Sequence, residues 1–322
     1  MENTSAKNLP GDKAKKELRT LKWRKYKRNI RKTWVLYLFV LPALIYMLLF
    51  NYLPMYGVQI AFRDYKATQG IIGSKWVGFK HFKTFFESYQ FGQLIKNTLA
   101  LSFYSLIAGF PFPIIYALFL TYLDSNRLRR SSQMITYAPH FISTVVYVGM
   151  ITLFLGREGV VNNLIAKLGA SPVPFMGKGE WFRHIYVWSG ILKSTGWNSI
   201  MYISVLATVP PELHEAAIVD GASKRQRMLY IDLPTLLPTM IILLILNTGQ
   251  LLNVGFEKAF LLQNSVNLDY SEIISTYVYK IGILSSQFSY SAAIGLFNNV
   301  INFAVILFVN KMAAKYSEIS LW

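Results

Sequence analysis

The chain has 322 residues, of which 53% are hydrophobic and only 15% charged, and it carries a formal net charge of +17. Soluble domains average about 25% charged residues, so this composition excludes an ordinary soluble domain and points to a membrane protein. There is no cysteine, which removes disulfides and thiolate metal sites without fixing a compartment.

In chain order, the first 33 residues form a basic tail, with KAKKELRTLKWRKYKRNIRK interleaving aromatics and charge. Beside a membrane span such a segment rests on anionic lipid, or stays a solvated and partly disordered tail, in preference to binding nucleic acid. No secretory signal is evident, because the first apolar run is long enough to remain as an anchor. Runs of roughly 20 apolar residues, the length that crosses about 30 Å of hydrocarbon, occur near 34–54, 92–122, 134–155, 185–208, 235–254 and 290–310. The second contains Pro111 and Pro113 and is expected to be a kinked or broken helix, which neighbouring helices tolerate by satisfying the freed backbone groups. Between the first two runs, residues 57–88 carry glycines that suggest turns and end in a stretch that reads as an interfacial amphipathic helix. Residues 156–169 read as a short helix bounded by glycines.

Of the 33 Lys and Arg, 20 fall in the N-terminal tail, the loops 123–133 and 209–234 and the C-terminal tail, against 11 in the alternate loops. This asymmetry predicts both termini in the cytoplasm. The expected architecture is an all-α membrane protein of about six transmembrane helices. Residues 1–33 form a basic cytoplasmic tail and 34–322 a single transmembrane domain without internal repeats.

The stretch EAAIVDGASKRQRMLYIDLPTLLP, residues 215–238, is polar and charged yet lies between two of the most apolar segments. By this topology it falls largely in the longest internal cytoplasmic loop, 209–234. Pro210 and Pro211 open the loop, ELHEAAIVD fits a first helix, and Gly221 supplies a sharp bend. A second short helix is expected from about Ser223 to Asp232, with Pro234 starting the fifth span where proline is tolerated. Ala216 and Ala217 remove bulk from the first helix, so another surface can approach its backbone closely. The loop reads as a docking element.

The arrangement of Glu215, Ala216, Ala217, Gly221, Ile231, Leu233 and Pro234, spaced E-A-A-x3-G-x9-I-x-L-P, resembles the EAA loop of ABC importer permeases. VLYLFVLPALIYMLLFNYLPMYG (35–57), WVGFKHF (76–82) and the later spans are similar to the carbohydrate importer branch. Within it, the chain looks nearest to permeases for acidic oligosaccharides such as alginate or rhamnogalacturonan fragments. The resemblance covers residues 34–322 and implies the type I ABC importer permease fold. It places Glu215, Ala216, Ala217, Asp220, Gly221, Ile231, Leu233 and Pro234 at the docking site for a cytoplasmic ATPase. It further implies a second, related permease forming a heterodimer, two copies of that ATPase carrying ATP and Mg, and an extracytoplasmic solute-binding protein. The setting would be membrane lipid of the bacterial cytoplasmic (inner) membrane, with no cofactor, metal or nucleic acid on this chain.

The residues themselves contain no energy source. FMGKGE (175–180) lacks the upstream glycine and the terminal hydroxyl residue of a phosphate-binding loop. His214 to Ile218 matches four of the five positions of a zinc protease helix, but Ile218 cannot ligate, and only His81, His140, His184 and His214 exist in the chain. An ion-gradient transporter or channel is the other class open to six spans, yet Asp and Glu are nearly absent from them.

For a pathway, the fourth run offers Lys193 with Trp197 at i+4, Asn198 beside it, and Trp188 and Tyr202 nearby. Aromatic faces suit sugar rings and the lysine can pair with an acidic sugar; equally, Lys193 can bond a group on an adjacent helix. Asn247, Gln250 and Asn253 share one approximate face of the fifth run. These amides, and Asn298, Asn299 and Asn302 of the sixth, either line the pathway or bond between helices.

Overall fold

The computed structural model describes residues 33–317 together with Arg19 and Trp23. The rest of the expected basic tail, its lipid contact and the sidedness of both termini lie outside the described residues. Two compact units divide the chain, Met1–Gln59 and Ile60–Trp322. The first holds most of α1, a helical run Thr33–Phe62 whose apolar side chains are exposed from Val35 to Tyr56. Within it a π-helical turn, Leu48–Tyr52, closes with Leu53 N–H donating to the Leu48 carbonyl, one residue before Pro54. Proline offers no N–H to the carbonyl four residues back, and the wider turn makes room for its ring.

The second unit opens with a feature absent from the sequence reading, an antiparallel hairpin of β1 (Arg63–Lys66) and β2 (Ser74–Trp76), pairing Arg63 with Trp76 and Asp64 with Lys75. Gly70, at φ +66°, makes the turn. Asp64 takes Lys80 at 2.9 Å and His81 at 3.0 Å, and the Lys80 hydrogen bond holds its carboxyl below the usual range. The following α2 (Lys80–Phe86) is the amphipathic helix expected there, with Phe85 buried and Phe86 exposed.

Then come α3 (Gln90–Thr121), α4 (Asn126–Phe141), α5 (Thr144–Phe154), α6 (Val160–Lys167) and α7 (Trp181–Leu206). The loop helix α8 (Pro211–Val219) leads into α9 (Lys224–Thr248), and α10 (Phe256–Leu262), α11 (Ile274–Tyr279) and α12 (Phe288–Ser317) complete the unit. Among the described residues, four helical runs are long and apolar enough to cross a membrane, α1, α3, α9 and α12, and the bent pair of α4 and α5 makes a fifth if it is one span.

Three expectations are corrected. The third span, 134–155, is not one helix: α4 and α5 meet at 104°. Pro139 sits in a tight turn, Ile142 is extended at φ −75° and ψ 130°, and Ser143 caps α5 by accepting from Val146 N–H at 3.3 Å, so α4 ends and a new helix starts. The fifth span stops at Thr248 instead of 254, because residues 249–255 leave the helix. The second loop helix is not separate from that span. Lys224 to Thr248 is one helical run, and a π turn at Met228–Asp232 absorbs Pro234 as the turn in α1 absorbs Pro54. In α3, by contrast, the chain stays helical through Phe110 (φ −63°, ψ −40°) ahead of its two prolines.

Helix α7 is the central element, lying against α3, α4, α9 and α10. Its buried residues join two apolar clusters, one with Leu101, Val148 and Leu262 and the other with Ile114, Ala117 and Leu236. Lipid tails are as apolar as leucine, so helices in a bilayer associate through close packing, which small residues permit. Gly196 is such a contact: a Cβ there would lie 2.4 Å from the Thr136 carbonyl of α4. Gly249 likewise admits Ile306 of α12. We expect Gly196→Val to destabilise the protein by about 1–3 kcal/mol or more, seen as a lowered Tm of the detergent-solubilised chain; an unchanged Tm would show that α4 and α7 can separate freely.

Candidate functional site

The loop 209–234 is built as two helices hinged at a glycine. Pro211 occupies the first turn of α8, where its missing N–H costs nothing. At the other end Gly221 adopts φ +81°. Its N–H reaches the Ile218 carbonyl at 3.0 Å and the Ala222 N–H reaches Ala217 at 2.8 Å, the paired bonds that close a helix through a left-handed residue. Ser223 then starts α9 with a reciprocal cap, accepting from Gln226 N–H while its own N–H donates to the Gln226 side chain at 2.8 Å.

This geometry turns one face of α8 outward. Glu215, Ala216 and Asp220 are exposed, and so are Leu213 (52%), Ile218 (54%) and Val219 (87%). Apolar side chains beside the carboxylates of Glu215 and Asp220 make a surface fit for another protein. Ala217 and His214 face inward and are half-buried. The expected docking set divides here. Ile231 and Leu233 are half-buried in the first turns of the fifth span, Leu233 packing on the cluster around Leu236, and Pro234 is exposed on the same run. They shape the root of the span and do not share the α8 face.

Behind α8 lies a group that the sequence reading passed over. Asp232 is fully buried. One oxygen accepts from the Tyr122 hydroxyl at the end of α3, and the other stands 3.3 Å from His214 Nε2. Burial, and then the Asp232 acceptor, push the Tyr122 hydroxyl well above its ordinary value, so it remains a donor. Arg227 lies 5.6 Å from the Tyr122 ring centroid, and Lys224 pairs with Asp124 at 2.9 Å.

In α7, Lys193 Nζ lies 5.2 Å from the Tyr147 ring centroid of α5. The structure adds a second cation that sequence reasoning missed, Lys258 of α10. Its Nζ donates to the Tyr186 carbonyl at 2.6 Å and sits 4.5 Å from the Tyr186 ring centroid. Gly190 leaves it room, since a Cβ there would be 3.2 Å from Nζ. Among the described residues no carboxylate lies within 4 Å of either lysine. Lys258 belongs to the connection between the fifth and sixth spans, where burial, and then the charge on Lys193, lower it to about 7. Nothing in the sequence near 258 signals this meeting, because α10 is separated from α7 by the whole loop and fifth span.

The other pathway candidates do not join the pair. Trp197 stacks on His140, centroids 4.4 Å apart and planes 3° from parallel, which covers one face of its ring. Asn198 is exposed beside it. Asn247 is exposed and bonds the Leu243 carbonyl of its own helix at 2.8 Å. Gln250 and Asn253 lie beyond the end of α9, so the expected single helical face is corrected. Asn253 donates to Gln250 at 3.0 Å and accepts from Asn298 at 2.8 Å, while Asn302 accepts from Leu252 N–H. Gln250, Asn253, Asn298 and Asn302 tie α12 to the chain after α9, whereas Asn247 bonds its own helix and Asn299 is exposed.

Comparison with known proteins follows the same division. The model of the family described as "Binding-protein-dependent transport system inner membrane component" matches residues 95–317. Protein LplB of Bacillus subtilis (strain 168) is 43% identical, over 89% of this chain and 91% of its own. The polygalacturonan/rhamnogalacturonan transport system permease protein YteP of the same organism is 40% identical, over 88% of each. A chain in the crystal structure of a bacterial ABC transporter involved in the import of the acidic polysaccharide alginate superposes with a TM-score of 0.84 at 39% identity, covering 91% of this chain and 99% of that one. A further crystal structure of that kind, with the same TM-score and identity, contains an alginate pentasaccharide-bound periplasmic protein.

Gly221→Ala tests the hinge apart from any function. A Cβ at this position meets nothing within 4 Å, so only the positive φ resists, at about 1–2 kcal/mol. We expect full membrane insertion with faster amide exchange across 217–223; unchanged exchange would mean that the turn does not depend on the glycine.

Proposed function

The chain belongs to the family of binding-protein-dependent transport system inner membrane components and is a multi-pass permease subunit of an ABC sugar importer; from this premise we propose that it forms half of the pathway for an acidic oligosaccharide. Family membership sets aside a transporter driven by an ion gradient. The observation that carries the acidic reading is the lysine pair. Two cations without a carboxylate partner among the described residues, flanked by Tyr147 and Tyr186, offer a charged and aromatic surface to a uronate ring. The relatives support it: one solved transporter imports the acidic polysaccharide alginate, and one permease serves polygalacturonan/rhamnogalacturonan transport.

In this reading the loop end of the helices faces the cytoplasm, with both termini on that side, and the membrane is the bacterial inner membrane. The exposed face of α8, with Glu215, Ala216 and Asp220, docks on a cytoplasmic ATPase, whose two copies carry ATP and Mg. A second, related permease completes the pathway, and an extracytoplasmic binding protein delivers the sugar to the opposite side. The mechanism is alternating access: closure of the ATPase pair moves α8, and α8 moves the spans that enclose the lysines. Lys193 and Lys258 hold the carboxylates, the flanking rings orient the sugar faces, and substrate leaves when the helices separate.

Two substitutions test the docking face. Glu215→Lys and Gly221→Trp are expected to leave the chain in the membrane while the ATPase no longer copurifies and uptake stops; association and uptake at wild-type levels would overturn docking by α8. The acidic reading is tested by ATP hydrolysis of the complex with the binding protein empty, loaded with oligogalacturonate or loaded with maltotriose. Stimulation by the first load alone is expected, and stimulation by maltotriose alone refutes the lysine pair as a uronate site. Lys193→Met should weaken the apparent affinity for the acidic load about tenfold, the ~1.4 kcal/mol of one charge-assisted contact.

The pH dependence has a definite sign. A lysine lowered to about 7 is charged below that pH and neutral above it, so stimulation by oligogalacturonate should rise as the pH falls from about 8.5 to about 6. Lys258→Met should flatten the profile. Lys193→Met, by removing the like charge, should move the midpoint upward; a slope that survives in Lys258→Met would assign it to another group.

A further inference from the structure

Three helices meet at Asp232, and the contact made by the docking helix differs in kind from the other. The Tyr122 hydroxyl from the end of α3 is firmly bonded to one carboxylate oxygen. The other oxygen is buried and has no hydrogen bond, although His214 Nε2 lies 3.3 Å away. Ring and oxygen are within ion-pair distance but not aligned as donor and acceptor. A buried oxygen left in this condition is costly, and a small displacement or rotation of α8 makes or breaks the missing bond.

The fixed side of the node is braced more than once. Lys224 bonds Asp124 through both carboxylate oxygens at 2.9 Å, and Arg227 stacks toward Tyr122. Arg129 binds the Leu120 carbonyl at 3.1 Å and the Leu123 carbonyl at 2.9 Å, closing the turn that carries Tyr122. The roots of α3 and α9 are therefore joined at several points around Asp232 and Tyr122, whereas α8 meets them through the turn at Gly221 and the His214 contact. Resting on the docking role of α8 proposed above, we infer that Asp232 is the positioning residue that passes displacement of α8 to the second and fifth spans, with His214 as its movable contact and Tyr122 as its fixed one. The docking helix thus acts on the pathway through a buried carboxylate and not only through the covalent chain.

The absence of native cysteine makes a direct test practical. Spin labels at Tyr89→Cys and Leu246→Cys, both exposed and near the far ends of α3 and α9, report span movement in the reconstituted complex with and without ATP and vanadate. In the His214→Ala background the ATPase should remain bound and hydrolyse ATP at its basal rate, while the ATP-dependent change in label distance is lost. His214→Gln, which keeps a nitrogen donor at similar reach, should restore it; a role as mere filler would not separate the two variants in this way. Tyr122→Phe should reduce the change by itself and add little to His214→Ala, since both act through one carboxylate. A wild-type distance change in His214→Ala with the ATPase bound overturns the inference and leaves docking by α8 standing. Loss of the ATPase from His214→Ala also overturns it, by placing His214 in the docking surface. If the wild-type chain brings down no ATPase, the docking role fails and this inference fails with it.

Discussion

The packing of α7 against α3, α4, α9 and α10 is the constraint on which the rest depends. A helix carrying a lysine, three tryptophans and several hydroxyl residues is too polar to face lipid on every side. Other helices supply neighbours for two of its polar groups, Tyr147 beneath Lys193 and His140 against Trp197, while the Ser194 and Thr195 hydroxyls bond carbonyls of α7 itself. Gly196 makes this possible at the closest point, where the Thr136 carbonyl excludes any side chain.

The same central position links two regions that are far apart in sequence. The half of α7 near Tyr186 meets α10 and brings Lys258 toward Lys193. The half near Tyr202 and Leu206 packs on Leu236 of α9 and Ile114 of α3, the helices whose roots carry the Asp232 node. In the proposed mechanism, a movement entering at α8 would reach the lysines through this apolar cluster. Packed helices of this kind tend to have discrete arrangements, which is what an alternating pathway requires.

Proline placement shows how such rigidity coexists with bends. Pro54 and Pro234 each follow a π turn and leave a continuous helical run, whereas Pro139 precedes an extended residue and a new cap, and the chain turns by 104°. The difference lies in the neighbours: Ser143 offers an N-cap oxygen to the new helix, while the residues before Pro54 and Pro234 carry no competing cap and widen one turn instead.

Much was legible from sequence because it is local. Apolar run length located most of the helices, a polar run between two apolar ones located the loop, and Glu215, Ala216, Ala217 and Gly221 carry the family resemblance within one short chain segment. The family followed from the same residues. What the sequence could not supply were contacts between distant segments. Lys258 reaches the Tyr186 carbonyl of α7, and Asp232 meets Tyr122 and His214, across 72, 110 and 18 positions respectively, and no periodicity encodes such meetings. Gln250 and Asn253 fail the helical pattern because the helix ends at Thr248, where Gly249 packs on Ile306 of another span. Local spacing determined most of the elements this protein has; packing between elements decided which charged and polar groups come together, because their partners lie on segments far apart in the chain.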